Sequence, residues 1–306
     1  MRESPSPESS EGSSSFKGKK VFVVCGPTAS GKSGLADEIS SRLTEAGGAW
    51  ANTVAVDSMQ VYREIPTITN QARERPAELV GMVSVADEWT VALHRAAAWS
   101  VIRHSDSPVV LDAGTGMYLN AVLLDIPLAP RVSPEVRARA EEIVRNYSTP
   151  PPNPRRAIRE EELRISGAPQ RGSIWDGPVM FDATILYLRP EWEVLRGAID
   201  ARSSSIARDG LDEASILDEM EREGNPPNPS VEISIGVREL RDHLHGNLPI
   251  RVAEERIAIR TRRLARRQIR WFDKLTRNLN GNVRTVVANS PNDPQVTHIM
   301  HDIMGA

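Results

Sequence analysis

GPTASGKS, residues 26–33, fits the pattern Gly-x4-Gly-Lys-Ser/Thr and follows directly on an apolar run, VFVVC. These residue types suit a polyphosphate. Gly26 and Gly31 let the backbone through Thr28, Ala29 and Ser30 turn its N–H groups inward, and a helix starting at Lys32 adds partial positive charge. Lys32 supplies a point charge, and the Ser33 hydroxyl is a ligand for Mg²⁺. The pattern specifies a diphosphate or triphosphate without specifying the reaction. A nucleotide hydrolase or kinase is one reading, because VVLDA brings Asp112 to a strand end as a candidate metal carboxylate.

Two further clusters sit at the ends of apolar runs. DSMQVYR (57–63) follows TVAV and places Asp57, Ser58, Met59 and Gln60 where parallel sheets bind their ligands. An aspartate there serves as a general base or caps a helix. AGTGMYLNAVL (113–123) sets Thr115 between Gly114 and Gly116, either to bond a phosphate or base or to make a strand-to-helix turn.

The elements that must carry these clusters alternate. Short β-branched runs at 21–25, 53–58, 83–87, 108–113 and 183–190 read as strands. Leu35, Ile39 and Leu43 recur every four residues after Lys32, and 91–104 has a similar helical period. The expected class is α/β: a P-loop parallel sheet with helices on both faces, a small helical insertion and a helical C-terminal part. Residues 19–125 and 181–306 form the expected core. The insertion is 126–180, with helices at 133–146 and from about Arg155, separated by STPPPNP (148–154). The C-terminal helices are expected at 190–208, 211–223, 234–245 and 249–279.

Composition narrows the partners. A chain of 306 residues with 40% apolar content can bury a core, and 38 Lys and Arg against 41 Asp and Glu give a net charge of −3, so a nucleic-acid surface must be local. The last long helix provides one: from Arg251 to Arg277 there are ten Arg or Lys against three acids. Arg256, Arg260, Arg263, Arg267, Arg270 and Lys274 step by 4, 3, 4, 3, 4 onto one stripe, beside an apolar one of Ile257, Leu264, Trp271 and Leu275. The single cysteine, Cys25, excludes internal disulfides and cysteine zinc sites, and the six histidines lack an HExxH spacing. No apolar run reaches the roughly 18 residues of a membrane span. Residues 1–18 are Ser-, Pro- and Glu-rich without a signal-peptide pattern and read as a disordered tail. A cytoplasmic monomer is expected.

GPTASGKS, DSMQVYR, GTGMYLNAVL, NPRRAIRE (153–160), ISIGVREL (233–240) and TRRLARRQIRWF (261–272), in this order, resemble the tRNA dimethylallyltransferase family, also called isopentenylpyrophosphate tRNA transferases. The resemblance implies transfer of a dimethylallyl group from its diphosphate to an adenosine amine beside the tRNA anticodon, with Mg²⁺ as cofactor. It implies that Thr28, Lys32 and Ser33 bind diphosphate and metal, that Asp57 is the base, and that Thr115 and Arg137 contact the substrates. Arg202 matches a family arginine near the pyrophosphate. Arg155, Arg156, Arg159 and Arg238, in the segments 155–159 and 233–238, are implied tRNA contacts; Arg263, Arg267 and Arg270 of the basic stripe join them. The chain departs from the family in four places: the stretch between Arg145 and Pro154 is short, EIPTITNQA (64–72) replaces IGTAKP, ELVGMVSVAD (78–87) replaces a His-His strand, and AGTG preceded by Asp112 replaces GGTG. Free adenylate as acceptor, a nucleotide hydrolase or kinase, and a purely RNA-binding protein are the alternatives.

Overall fold

Short apolar runs become the strands of one sheet because both of their faces are covered. The structure, a computed structural model, describes residues 16, 18–168, 172–279, 281 and 283–305. Its strands are β1 (Lys20–Cys25), β2 (Thr53–Val56), β3 (Ala77–Glu78), β4 (Val109–Ala113), β5 (Asp182–Leu188) and β6 (Arg284–Ala288), in the spatial order β3-β2-β4-β1-β5-β6 with every pairing parallel. Parallel neighbours need crossovers, and helices supply them. These are α1 (Lys32–Gly47), α2 (Pro66–Thr69), α3 (Val91–His104), α4 (Gly116–Leu123), α5 (Pro134–Arg145), α6 (Pro154–Ser166), α7 (Trp192–Asp209), α8 (Leu211–Arg222), α9 (Pro229–Glu232), α10 (Val237–Leu244), α11 (Ile250–Leu279) and α12 (Pro294–Gly305).

Side-chain alternation assigns the two faces of the sheet. Phe22, Val24, Leu186 and Leu188 pack against Leu35 and Ile39 of α1 and Val296 and Ile299 of α12. Tyr187 points the other way, its ring 5.8 Å from that of Phe272 on α11. Burying each such side chain contributes about 1.5–3 kcal/mol. The chain divides into two compact units, Met1–Leu123 with Val179–Ala306, and Leu124–Pro178. The first holds the sheet. The second is built on α5 and α6, which bury Ala140, Val144 and Leu163.

The structure corrects the strand expected at 83–87. Val83 makes only an isolated bridge to Tyr62, and the chain then turns, Asp87 N–H donating to the Ser84 carbonyl at 3.0 Å. Val85 is buried with Val61 and Ile65 instead of joining the sheet, which explains why an apolar alternation was misleading. The edge strand beside β2 is the two-residue β3. β6 and α12 were not expected; RTVVA is half exposed on the sheet edge, and its apolar signal is weak. Within the expected tail, residues 1–15 and 17 lie outside the described residues, whereas Phe16 is fully buried, its ring 5.0 Å from that of Phe181 and 5.3 Å from that of Trp99.

Candidate active site at the strand ends

β1, β2 and β4 run parallel and in register, so the segments that leave their C-terminal ends converge. Residues 26–33 leave β1, Asp57 leaves β2, and Gly114–Gly116 leave β4. The turn after β1 contains Ala29 at φ 65°, a backbone strain of about 1–3 kcal/mol in an alanine, and Gly31 at φ 84° as the residue before α1. A side chain at Gly31 would also meet Pro291 at 2.9 Å. Gly26 has no room either, since a Cβ there would lie 2.7 Å from the Leu188 carbonyl and 2.9 Å from Ser30 Oγ.

Thr28, Ser30 and Lys32 are all buried. Burial pushes the Lys32 ammonium below the ordinary lysine range; the Asp112 and then the Asp57 carboxylates oppose that shift, while Arg202 and Arg73 reinforce it. Ser30 Oγ is buried without a hydrogen-bond partner. An orphaned hydroxyl and a desolvated cation in one loop are the groups an incoming anion would satisfy. Ser33 Oγ donates to Asp112 Oδ2 at 2.7 Å, which leaves its lone pairs for a hard cation.

The three loops are tied together. Gly114 makes the closest approach, as a Cβ there would fall 2.6 Å from Asp57 Oδ2 and 3.3 Å from Lys32 Cε. Asp57 Oδ1 accepts the Met59 N–H at 2.9 Å, and Thr115 Oγ1 accepts the Ser58 N–H at 3.1 Å. Arg202, from α7, donates Nη1 to Thr28 Oγ1 at 2.7 Å, and burial presses its guanidinium below the usual range.

Sequence reasoning missed Gln268. From the buried seam of α11 its Oε1 accepts the Thr28 N–H at 2.9 Å, and its Nε2 donates to the Gly114 carbonyl at 2.8 Å. One side chain thus joins two of the three site loops. Its only sequence signal was an uncharged polar residue inside a run of arginines. Three residues on, Trp271 lies so close to Gly116 that a Cβ there would fall 2.2 Å from the ring. Changing Gln268 to methionine keeps the volume and orphans two backbone groups, each worth about 1–3 kcal/mol. The expected result is a melting temperature lower by several degrees and an affinity for inorganic pyrophosphate weakened about tenfold, both measured by calorimetry. A variant with the parent's pyrophosphate affinity would show that the bridge does not shape the loop.

Gln60 is buried, its Nε2 donating to the carbonyls of Thr69 at 3.4 Å and Asn70 at 3.2 Å at the end of α2, while its Oε1 has no hydrogen-bond partner; Met59 packs against the neighbouring apolar cluster. One other expectation needs correction. The apolar seam of α11 runs through Ala253, Ile257, Thr261, Ala265, Gln268, Phe272, Leu275 and Leu279, with Leu264 and Trp271 half-buried at its margin. Within the stripe, Arg260 bonds Glu239 and the Ile233 carbonyl and so holds helices together, while Arg256, Arg263, Arg267, Arg270 and Lys274 are exposed. Arg238 is exposed on α10.

The other expected RNA contacts belong to the second unit. Arg137 pairs with Glu141 at 3.2 Å, Arg156 with Glu160 at 2.8 Å and Arg159 with Glu162 at 2.5 Å; the Arg155 side chain lies outside those described. A cavity of about 650 Å³ in this unit is lined by Tyr147, Arg156, Arg159, Glu160, Glu161 and Arg164, among others. It combines an aromatic face with charges of both signs. Among the described residues no helix is long and apolar enough to cross a membrane, and no group of three or more His, Cys, Asp or Glu side chains is placed to hold a metal ion.

Comparison with known proteins identifies the family. Residues 60–275 match the IPP transferase family. A tRNA dimethylallyltransferase of Rubrobacter xylanophilus is 57% identical over 295 residues, covering 95% of this chain and all of that protein. One from Phenylobacterium zucineum is 32% identical over 286 residues, 83% of this chain and 89% of its own. Among solved structures, the full-length tRNA isopentenylpyrophosphate transferase of Bacillus halodurans superposes with a TM-score of 0.65 at 25% identity, covering 94% of this chain and 96% of that one. A eukaryotic dimethylallyltransferase acting on tRNA has a TM-score of 0.68 at 21% identity, covering 92% and 78%, a likeness of fold.

Proposed function

Because the chain belongs to the IPP transferase family, we propose that it transfers the dimethylallyl group of dimethylallyl diphosphate to the exocyclic amine of an adenosine next to a tRNA anticodon, releasing pyrophosphate. The observation that carries the reading is the meeting of two chemistries at one point: Gly114 approaches both Asp57 Oδ2 and Lys32 Cε, which brings a carboxylate and a buried ammonium to one backbone position.

The adenine amine attacks the primary allylic carbon, the carbon–oxygen bond breaks, and the electron pair leaves with pyrophosphate. The main demand is therefore charge stabilisation on the leaving group, which the P-loop N–H groups and the buried Lys32 and Arg202 side chains meet. Asp57 takes or orients the amine proton. An aromatic amine is a weak nucleophile, and positioning by the Thr115–Ser58 link and by the RNA contributes as much as basicity. Ser33 is the residue that would hold Mg²⁺, which is kept by few protein ligands plus phosphate oxygens and supplies further neutralisation of the diphosphate.

Labelled dimethylallyl diphosphate offered with bulk tRNA, AMP or ATP separates this function from its rivals: label is expected in tRNA alone. Label in AMP assigns a free-nucleotide enzyme, and hydrolysis of ATP without transfer assigns an NTPase.

RNA affinity tests the basic helix. If Arg263, Arg267 and Arg270 contact phosphates, replacing all three by glutamine lowers the log-log salt slope of tRNA binding by about two to three, at roughly 0.7–0.9 per contact. The exposed positions predict little change in stability. Parallel salt titrations of parent and variant would place the RNA elsewhere and favour free adenylate as acceptor.

A further inference from the structure

One departure from the family pattern meets a residue that directly follows another. Asp112, which precedes AGTG, is 2% exposed at the end of β4 and gives Oδ2 both to Ser33 Oγ and to an arginine, Arg73, from the loop that follows the replaced segment 64–72. The Arg73 side chain is itself 5% exposed and also donates Nη1 to Asp37 of α1 at 3.1 Å. The loop carrying it is pinned at both ends. Gln71 Nε2 donates to the Tyr62 carbonyl at 2.7 Å, and Arg75 donates to Thr44 Oγ1 at 3.1 Å with its guanidinium 4.0 Å over the Trp50 ring.

A second carboxylate beside a diphosphate site is electrostatically adverse. Asp112 already lies close enough for its charge to be the leading one acting in favour of the Lys32 ammonium, ahead of Asp57, and Arg73 is felt there too. A buried carboxylate without a cation would repel an incoming polyanion in a medium where screening is weak. What the carboxylate provides is a fixed acceptor for the Ser33 hydroxyl, which turns the hydroxyl proton away from the phosphate side.

We propose that Arg73 is a positioning residue of the donor site: as the internal counter-ion of Asp112 it lets that carboxylate orient Ser33 without repelling the diphosphate. This deepens the transferase reading and rests on its assignment of the P-loop to the donor. Charge, more than shape, is then what Arg73 contributes, and its own partners make that separable. Asp37 keeps the backbone N–H groups of Glu74 and Arg75 when the guanidinium is gone, and an asparagine at 112 still offers an oxygen to Ser33.

The test is calorimetric titration of the full chain with inorganic pyrophosphate in a chelator, so that no metal masks an exposed carboxylate. A carboxylate left without its guanidinium beside a polyanion, in an interior where screening is weak, corresponds to a loss of at least about tenfold in affinity. Arg73→Met is expected to bind pyrophosphate that much more weakly, Arg73→Lys within about threefold of the parent, and the double variant Arg73→Met with Asp112→Asn within about threefold as well. A merely structural arginine would lower the melting temperature in all three and leave pyrophosphate affinity unchanged in whatever folds. Parent-like binding by Arg73→Met, or a double variant as weak as the single, overturns the proposal. If Arg73→Met does not fold, a double variant that folds and binds like the parent upholds it, and one that fails to fold overturns it. Failure of the unsubstituted chain to bind pyrophosphate at all is a different result: it removes the donor-site reading and the Arg73 proposal with it.

Discussion

Replacing Lys32 by alanine is expected to abolish dimethylallyl transfer, by at least about 10³-fold, while tRNA affinity stays within a few-fold of the parent. The ammonium is buried, and burial pushes it toward the neutral form; Asp112 and then Asp57 oppose that shift. A desolvated cation of that kind is unfavourable to the free protein and becomes favourable only when a polyanion arrives. In a low-dielectric pocket its attraction for a diphosphate is far stronger than the same charge would exert in water. Its loss also leaves Asp57 and Asp112 facing the donor without their nearest ammonium. The exposed arginines of α11 are untouched, so RNA binding by filter assay should hardly move. The melting temperature should stay level or rise, because a strained charge has been removed from the interior. A variant that loses tRNA and donor affinity equally would assign Lys32 to the fold or to the RNA.

How much of this could be read from residues alone depends on how local the determinants are. The P-loop was legible because its signal is contiguous: glycines where a side chain would collide, then a lysine and a serine at a helix start. The parallel sheet was legible from β-branched runs alternating with helical periods, and four of the five expected strands lie where those runs are. The fifth fails instructively, since VSVAD has a strand's alternation but buries Val85 under Val61 and Ile65, a choice made by tertiary neighbours. The basic stripe is set by local period, yet Arg260 satisfies the same period and is spent on Glu239, a partner 21 residues away. Gln268 and Arg73 were illegible for one reason. Gln268 bonds Thr28, 240 residues away, and Gly114, 154 residues away; Arg73 meets Asp37 and Asp112, 36 and 39 residues away. Polar side chains that stitch loops across a sheet carry no periodic signature of their own.

Asp57→Asn tests the other half of the chemistry and is expected to lower kcat by about 10²–10⁴, the range a positioned acid or base contributes. The substitution suits the question because the two carboxylate oxygens have different tasks. Oδ1 accepts the Met59 N–H and holds the loop after β2, and an asparagine oxygen can do the same, so the melting temperature should remain within a degree or two of the parent. Oδ2 lies over Gly114, on the side of Lys32, and is the oxygen available to a substrate amine. An amide at that position cannot take the proton and offers a donor where an acceptor is needed. KM for the donor should change little or fall, because one negative charge beside the diphosphate has been removed. Alanine at the same position loses both functions and should differ from asparagine by a lower melting temperature, with no further loss of kcat beyond about threefold. Single-turnover transfer to tRNA, measured for both variants beside their thermal unfolding, separates the alternatives. If the asparagine variant turns over at close to the parental rate while alanine does not, Asp57 acts through its hydrogen bond to Met59 as a loop cap, and the amine loses its proton to water or to the departing pyrophosphate.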